Sequence, residues 1–202
     1  MKITIYVEGG GEKKDAKDLK TKCRKGFQKF FEKAGLAAQM PAVVACGSRE
    51  QAFKDFKKAL AIPDILPILL VDSEAPINQD PVWGHLLDRD QWQRPGSATE
   101  EQAHLMAQCM ESWFLADKAC LEAYFGQGFH PNALPQNPRV EEISKQDVFD
   151  GLKNATRHCK TKSSYNKGEH SFKILEELSP TKVSAAAPYA KRLLETLKQA
   201  TS

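Results

Sequence analysis

The chain has 202 residues, of which 41% are hydrophobic and 27% are charged, a composition typical of a globular domain with a sizeable core. Its net charge of +3 is too small to argue for nucleic-acid binding on charge alone. Five cysteines without a C-x-x-C pair argue against a disulfide framework or a structural zinc site. No secretory segment and no apolar run of roughly 20 residues is present, so we expect a cytoplasmic protein without a membrane partner.

The first 74 residues predict three strands separated by two helices. Residues 2–7 are apolar on both faces, as in a covered parallel sheet. The stretch that follows, to about Ala34, has apolar residues at helical spacing. The segment Pro41 to Ser48 predicts a second strand, and Ser48 is suited to cap the next helix. Residues 64–74 predict the third strand.

The second part of the chain is mostly helical in its pattern. Residues 75–100 are polar and predict a loop with a short helix. A fourth strand is expected from His104 to Met110, and a helix from Glu111 is expected to stop at Gly126. His104 and His85 are interpreted as ordinary surface or strand-end residues. Further helices are predicted for Val140–Cys159, Ser171–Leu178 and Pro188–Lys198.

This order of elements predicts an α/β fold. Alternating strands and helices favour a mostly parallel central sheet of about four strands, flanked by helices. We expect residues 1–126 to form this core. Residues 127–202 are expected to form a helical C-terminal extension that packs on it as part of one structural unit.

Four acidic residues follow predicted strands. Glu8 ends the first, Asp72 and Glu74 end the third, and Glu111 comes directly after the fourth. Because ligands of open parallel sheets bind beyond the carboxyl ends of the strands, we expect these acids at one edge. Crowded carboxylates need a neutralising cation, and their oxygens suit Mg²⁺ or Mn²⁺. The sequence therefore predicts a divalent-metal site.

The segment after Glu8 is a run of three glycines, followed by Glu12. Glycines let the backbone turn sharply and let a bulky phosphate ester come close. Glu12 has two readings: it is another metal ligand, or it is a first-turn helix residue that the macrodipole favours. The loop matches neither the P-loop pattern nor a G-x-G-x-x-G dinucleotide motif.

A basic residue is the remaining candidate for the chemistry. Lys167 and His170 are expected in a polar, glycine-containing turn before a helix. A lysine near a bound phosphate would stabilise developing negative charge. The alternative is that this stretch is simply a solvated loop.

Two motifs, "IYVEGGGE" and "LLVDSE", resemble the Toprim domain of topoisomerases, primases and overcoming-lysogenization-defect nucleases. That family carries a Glu after its first strand and an Asp-x-Asp after its third. In addition, "CMESWFLAD" and "YNKGEHS" resemble a family of small bacterial Toprim-like proteins that are often paired with ATPases in anti-phage defence. The fuller resemblance covers most of the chain and implies a Toprim-like, Rossmann-like fold.

The resemblance also implies roles for individual residues. Glu8 would be a metal ligand or general base, and Asp72 and Glu74 would be paired metal ligands. Glu12 corresponds to the second acid of the "VEGxxE" form in the nuclease branch. Glu74 departs from the family pattern, since it stands where a second Asp is usual and is longer by one methylene.

The leading hypothesis is a Mg²⁺-dependent phosphodiester nuclease acting on DNA or RNA, in which a second ion about 4 Å from the first stabilises the leaving oxygen. Its expected partners are nucleic acid, an ATPase and a second copy of the chain. One alternative is a non-catalytic Toprim-like module that binds an ATPase or nucleic acid, which the Asp-to-Glu change and the mild charge favour. Another is a phosphatase or phosphotransferase acting on small molecules.

Overall fold

The computed structural model describes residues 1–11, 16–78 and 81–201. Its centre is a four-stranded sheet in the order β2-β1-β3-β4, in which all three strand pairs are parallel. The strands are β1 (Lys2–Gly10), β2 (Ala42–Gly47), β3 (Ile65–Asp72) and β4 (Ala103–Met106). The predicted α/β class with a central parallel sheet is therefore confirmed, and it is the architecture of a Rossmann-like or Toprim-like fold.

Helices cover both faces of this sheet. In the described part of the chain they are α1 (Ala16–Phe31), α2 (Arg49–Ala59), α3 (Val82–Asp90), α4 (Lys118–Phe125), α5 (Lys145–Thr156), α6 (Lys167–Glu177), α7 (Pro180–Ala186) and α8 (Pro188–Ala200). None of these described helices is both long and apolar enough to cross a membrane.

The strands are apolar on both faces because each face packs against its own cluster. On one face, Ile5 and Leu70 join a cluster that includes Phe30 of α1 and Trp113. The rings of Phe30 and Trp113 stack at 5.4 Å between centroids. On the other face, Leu69 packs with residues of α2 and α3. Alternating side chains of one strand thus fill two cores, which is why the sequence shows a continuous apolar run.

The C-terminal helices share the larger of the two cores. Leu152 of α5, Leu175 of α6 and Leu193 of α8 are buried in the same cluster as Ile5. Asp117 ties this region together, because its carboxylate accepts hydrogen bonds from the backbone N–H groups of Cys120 and Ser179. Burial of apolar residues of α5 and α6 in this cluster holds both helices in place.

Several predicted elements differ from the structure. The fourth strand ends at Met106, because the chain then turns across the edge of the sheet and the backbone N–H of Met110 donates to Asp72. The helix expected from Glu111 is a 3₁₀ segment over Met110–Asp117, and the α-helix begins only at Lys118. Helix α7 was not predicted.

Lysine and histidine residues expected in a turn or on the surface also differ from the prediction. Lys167 and His170 are not in a turn before a helix, since α6 already begins at Lys167. Its cap is Asn166, whose side chain accepts a hydrogen bond from the backbone of Glu169. His85 and His104 are not surface residues, because both are buried. His104 does lie near one end of β4, which was the other interpretation. Each histidine has a ring nitrogen 2.9 Å from a backbone carbonyl oxygen.

The neutral form of His104 is fixed by its two neighbours. The Nη1 of Arg192 lies 3.2 Å from Nδ1 of His104. Because arginine can only donate hydrogen bonds, this Nδ1 must be the acceptor. Nε2 therefore carries the proton and donates to the carbonyl of Glu101 at 2.9 Å. Burial, together with the charge of Arg192, lowers the pKa of His104 to about 3.

This environment predicts a pH effect on stability. With a folded pKa below the unfolded one, the unfolded state binds more protons as pH falls below about 6.5, so folding stability is lost on that side. Between pH 7 and pH 4.5, the free energy of unfolding should fall by about 2–3 kcal/mol less in His104→Gln than in the wild-type protein, because the variant has no histidine to protonate at this position. Urea unfolding at both pH values measures this. His130→Gln, at an exposed histidine, is the control; equal losses in all three proteins would contradict the assignment.

Candidate metal centre

Three carboxylates converge at the carboxyl edge of the sheet. Glu8 lies near the end of β1, Asp72 is the last residue of β3, and Glu74 follows two positions later. One ligand oxygen from each lies within 4.8 Å of the other two. The structure thus brings together three of the four acids that the sequence assigns to this edge.

A bulge at the end of β1 places Glu8. The strand pairs with β2 residue by residue up to Val7, but Glu8, Gly9 and Gly10 all lie opposite Gly47. Such an irregularity bends the strand and redirects its side chains. The carboxylate of Glu8 then reaches across to β3, where its Oε2 accepts a hydrogen bond from the backbone N–H of Asp72 at 3.2 Å.

Asp72 is the most enclosed of the three acids. Its side chain is 6% exposed, and its Oδ1 accepts a hydrogen bond from the backbone N–H of Met110 at 2.9 Å. Burial raises the pKa of Asp72, and the neighbouring carboxylates of Glu8 and Glu111 raise it further. Burial also raises the pKa of Glu8, with a smaller contribution from Glu74 and against the lowering effect of Arg49.

Glu74 reaches the cluster by a route that differs from the prediction. The chain is not extended there, because Glu74 has a φ of +64°, an uncommon value for a residue other than glycine. Hydrogen bonds hold this conformation: the N–H groups of Ser73 and Glu74 donate to the carbonyls of Met106 and Gln108 at 2.9 and 2.8 Å. The carboxylates of Asp72 and Glu74 therefore meet through a fixed turn rather than along an extended strand.

Arg49, which the sequence reasoning missed, clamps one side of the cluster. Its guanidinium lies 3.5 Å from Oε2 of Glu8 and forms two hydrogen bonds with Asp90, at 2.9 and 2.6 Å. It also donates to the backbone carbonyl of Asp72. Arg49 is the first residue of α2. Since α2 follows β2 directly, the strand-edge rule used for the acids could have found it.

Lys145, also missed, lies on the side of Glu74. Its Nζ is 2.5 Å from Oε1 of Glu74 and 3.9 Å from Oδ2 of Asp72. Lys145 begins α5, which the sequence analysis placed inside a longer helix. No local signal links it to the edge of the sheet, because only packing of the C-terminal helices brings it there.

Glu111 is not part of the three-acid group. It is fully buried, and its Oε1 accepts hydrogen bonds from the hydroxyls of Tyr165 and Ser171 at 3.3 and 3.0 Å. The Nζ of Lys167 lies 3.6 Å from the same oxygen. Within the described residues, its Oε2 has no hydrogen-bond partner. A ligand role for Glu111 stays a prediction; its observed contacts serve to orient Lys167.

Lys167 lines the same cavity as two of the three acids, Glu8 and Asp72. This cavity has a volume of about 310 Å³ and is lined by Glu8, Asp72 and Lys167 together with the loop of Gly9 to Gly11. About half of the Lys167 side chain, 54%, is exposed to solvent. Desolvation lowers the pKa of Lys167, but the carboxylates of Glu111 and Asp72 outweigh it, so the net pKa is raised. The lysine is therefore charged at neutral pH.

The glycine loop serves packing as well as access. Gly10 has a φ of +93°, and a Cβ there would lie 2.9 Å from Cα of Lys20 on α1. A side chain at this position would push the loop away from the helix. The loop nevertheless lines the cavity beside Glu8, as the sequence suggested. Glu12, the other acid of this segment, lies outside the described residues.

The donor set fits a hard divalent cation. All three groups are carboxylates, and no His or Cys is part of the group. Oxygen-only ligands suit Mg²⁺ and Mn²⁺, whereas zinc favours nitrogen and sulfur. Like charges within 4.8 Å repel one another strongly in a partly buried place, and a bound cation relieves that repulsion.

The fold and this edge define the class: an α/β protein with a carboxylate cluster at the carboxyl ends of a parallel sheet. A family model described as a domain of unknown function, DUF4276, matches residues 7–198. The chain therefore belongs to that family. No curated protein and no solved structure matches it significantly.

Loss of the Arg49 clamp should cost stability. In Arg49→Met, the partly buried carboxylate of Asp90 keeps Arg89, at 2.6 Å, as its one cation among the described residues. Glu8 loses a cation as well. We expect the free energy of unfolding to fall by about 3 kcal/mol, the lower end of the range for breaking a buried ion pair. The matched control is Arg94→Met, whose pair with Glu100 is more exposed and should cost less than about 1 kcal/mol. Equal effects in a denaturant titration would contradict the clamp.

Proposed function

We propose that the chain is a divalent-metal-dependent nuclease that hydrolyses phosphodiester bonds in DNA or RNA. The observation that carries this proposal is the convergence of Glu8, Asp72 and Glu74 within 4.8 Å, beside a cavity that also contains a charged lysine. Anionic ligands and a cationic donor around one cavity are the parts that phosphoryl-transfer chemistry requires.

In this proposal Glu8, Asp72 and Glu74 hold a Mg²⁺ or Mn²⁺ ion. When bound, such an ion polarises the phosphodiester and lowers the pKa of a water molecule. The fixed turn at Glu74 and the hydrogen bonds to Asp72 keep the carboxylates in place before substrate arrives. This preorganisation limits the rearrangement needed at the moment of reaction.

Other residues act on the substrate itself. The ammonium of Lys167 donates hydrogen bonds to a non-bridging oxygen of the phosphate and stabilises the charge that develops there. Glu111 orients that ammonium through its 3.6 Å contact. The attacking water releases its proton to solvent. The new bond joins the water oxygen to phosphorus, the ester P–O bond breaks, and the leaving oxygen takes a proton from solvent.

The cellular setting of the proposal rests on the resemblance to small bacterial Toprim-like proteins. We propose a cytoplasmic enzyme that works with a partner ATPase in anti-phage defence. The second candidate is a non-catalytic module that binds such an ATPase or nucleic acid. The observation that favours it is the tight pairing of Glu74, at 2.5 Å, with a lysine of the same chain.

The test is cleavage by isosteric variants. We expect the wild-type protein to cut DNA or RNA with Mg²⁺ or Mn²⁺, with or without the ATPase. Asp72→Asn and Glu8→Gln keep the side-chain shape but remove ligand charge, so cleavage should fall at least about 100-fold. Gel assays measure it, and Glu50→Gln, at an exposed acid on α2, is the control. Undiminished cleavage in both variants would exclude this site, and no cleavage by any protein would favour the binding module.

A further inference from the structure

Lys145 lies beside two of the three carboxylates of the candidate metal centre. Its Nζ bridges two of the three carboxylates, at 2.5 Å from Glu74 and 3.9 Å from Asp72. We propose that this ammonium acts as a built-in cation in place of a second ion, so that the site binds a single divalent metal. The inference rests on the proposed function and replaces the two-ion arrangement expected from the sequence.

The lysine is held in position by the backbone on which it sits. As the first residue of α5, it follows Ser144, which caps that helix by accepting a hydrogen bond from Asp147. The backbone N–H of Lys145 lies 3.3 Å from Oε1 of Gln108, and the carbonyl of Gln108 accepts the N–H of Glu74. Gln108 thus joins the start of α5 to the turn that carries Glu74. The contact between Lys145 and Glu74 is therefore fixed by the backbone of the fold.

The two carboxylate oxygens of Asp72 have different partners. Oδ1 is occupied by the N–H of Met110 at 2.9 Å, and Oδ2 is the oxygen that faces Lys145. Glu74 contacts the lysine through Oε1. Lysine is a compact point charge on a flexible stem, so Lys145 can balance the carboxylates without taking a substrate's place in the cavity.

The charge balance of the described residues favours one ion. Three sets of ion pairs lie at this edge and are counted together here as one network, which contains five carboxylates: Glu8, Asp72, Glu74, Asp90 and Glu111. Four cations face them: Arg49, Arg89, Lys145 and Lys167. The formal charge is thus −1. One divalent ion and one phosphodiester group, which carries a single negative charge, bring it to zero, whereas a second ion would leave +2.

The consequence is a change of metal stoichiometry when the lysine charge is removed. In Lys145→Met, Glu74 loses its partner and the network gains one negative charge, which attracts a second ion. We expect the wild-type protein to bind one Mn²⁺ that Asp72→Asn abolishes, and the Lys145→Met protein to bind two. Lys145→Arg keeps the charge and should still bind one.

Electron paramagnetic resonance of free Mn²⁺, titrated with the full chain, counts these ions without any need for activity. The matched control is Lys182→Met, which removes a lysine paired with Asp117 at 2.6 Å, outside the cluster; its count should stay at one. The rate of cleavage against Mn²⁺ concentration gives a second readout. Its Hill coefficient should be near one in the wild type and should rise toward two in Lys145→Met.

The outcomes separate this inference from the proposed function. Two Asp72-dependent ions in the wild-type protein would overturn the role of Lys145 and leave the nuclease intact, and this result does not depend on whether any variant folds. One ion in a folded Lys145→Met protein would also overturn it. No Mn²⁺ bound by any protein would instead overturn the metal site on which both proposals rest.

Discussion

Repulsion between three partly enclosed carboxylates is the constraint around which this structure is organised. Glu8, Asp72 and Glu74 bring oxygens within 4.8 Å of one another, and burial raises the pKa of the first two. Such a group costs free energy unless cations stand beside it. The fold supplies them from three helices, since Arg49, Lys145 and Lys167 each begin a helix that points its start at the same edge.

Topology explains part of this convergence. In a parallel sheet the strands all end at one edge, and a helix that follows a strand begins there as well; this places Arg49. Helices α5 and α6 follow no strand, and they reach the edge because their apolar faces are buried in the core that also covers β1. Their starts add the positive end of the helix dipole to the lysine charges, which favours an anionic substrate beside the acids.

The sequence predicts the sheet and the acids better than it predicts their partners. Apolar runs bounded by glycine and polar residues identify the strands, and the strand-edge rule follows from chain order, so Glu8, Asp72 and Glu74 could be found. Lys145 could not, because its position depends on long-range packing that no local pattern encodes. The sequence pattern predicts too late a start for α6, because Gly168 suggests a turn and the pattern alone does not identify Asn166 as the helix cap.

The most direct measurement of the central claim is anomalous diffraction at the manganese edge from crystals of the full chain grown with Mn²⁺. The account predicts a peak at the carboxyl edge of the sheet, with oxygens of Glu8 and Asp72 about 2.1 Å from it. Density that shows these side chains ordered as described, with no anomalous peak between them, would contradict it.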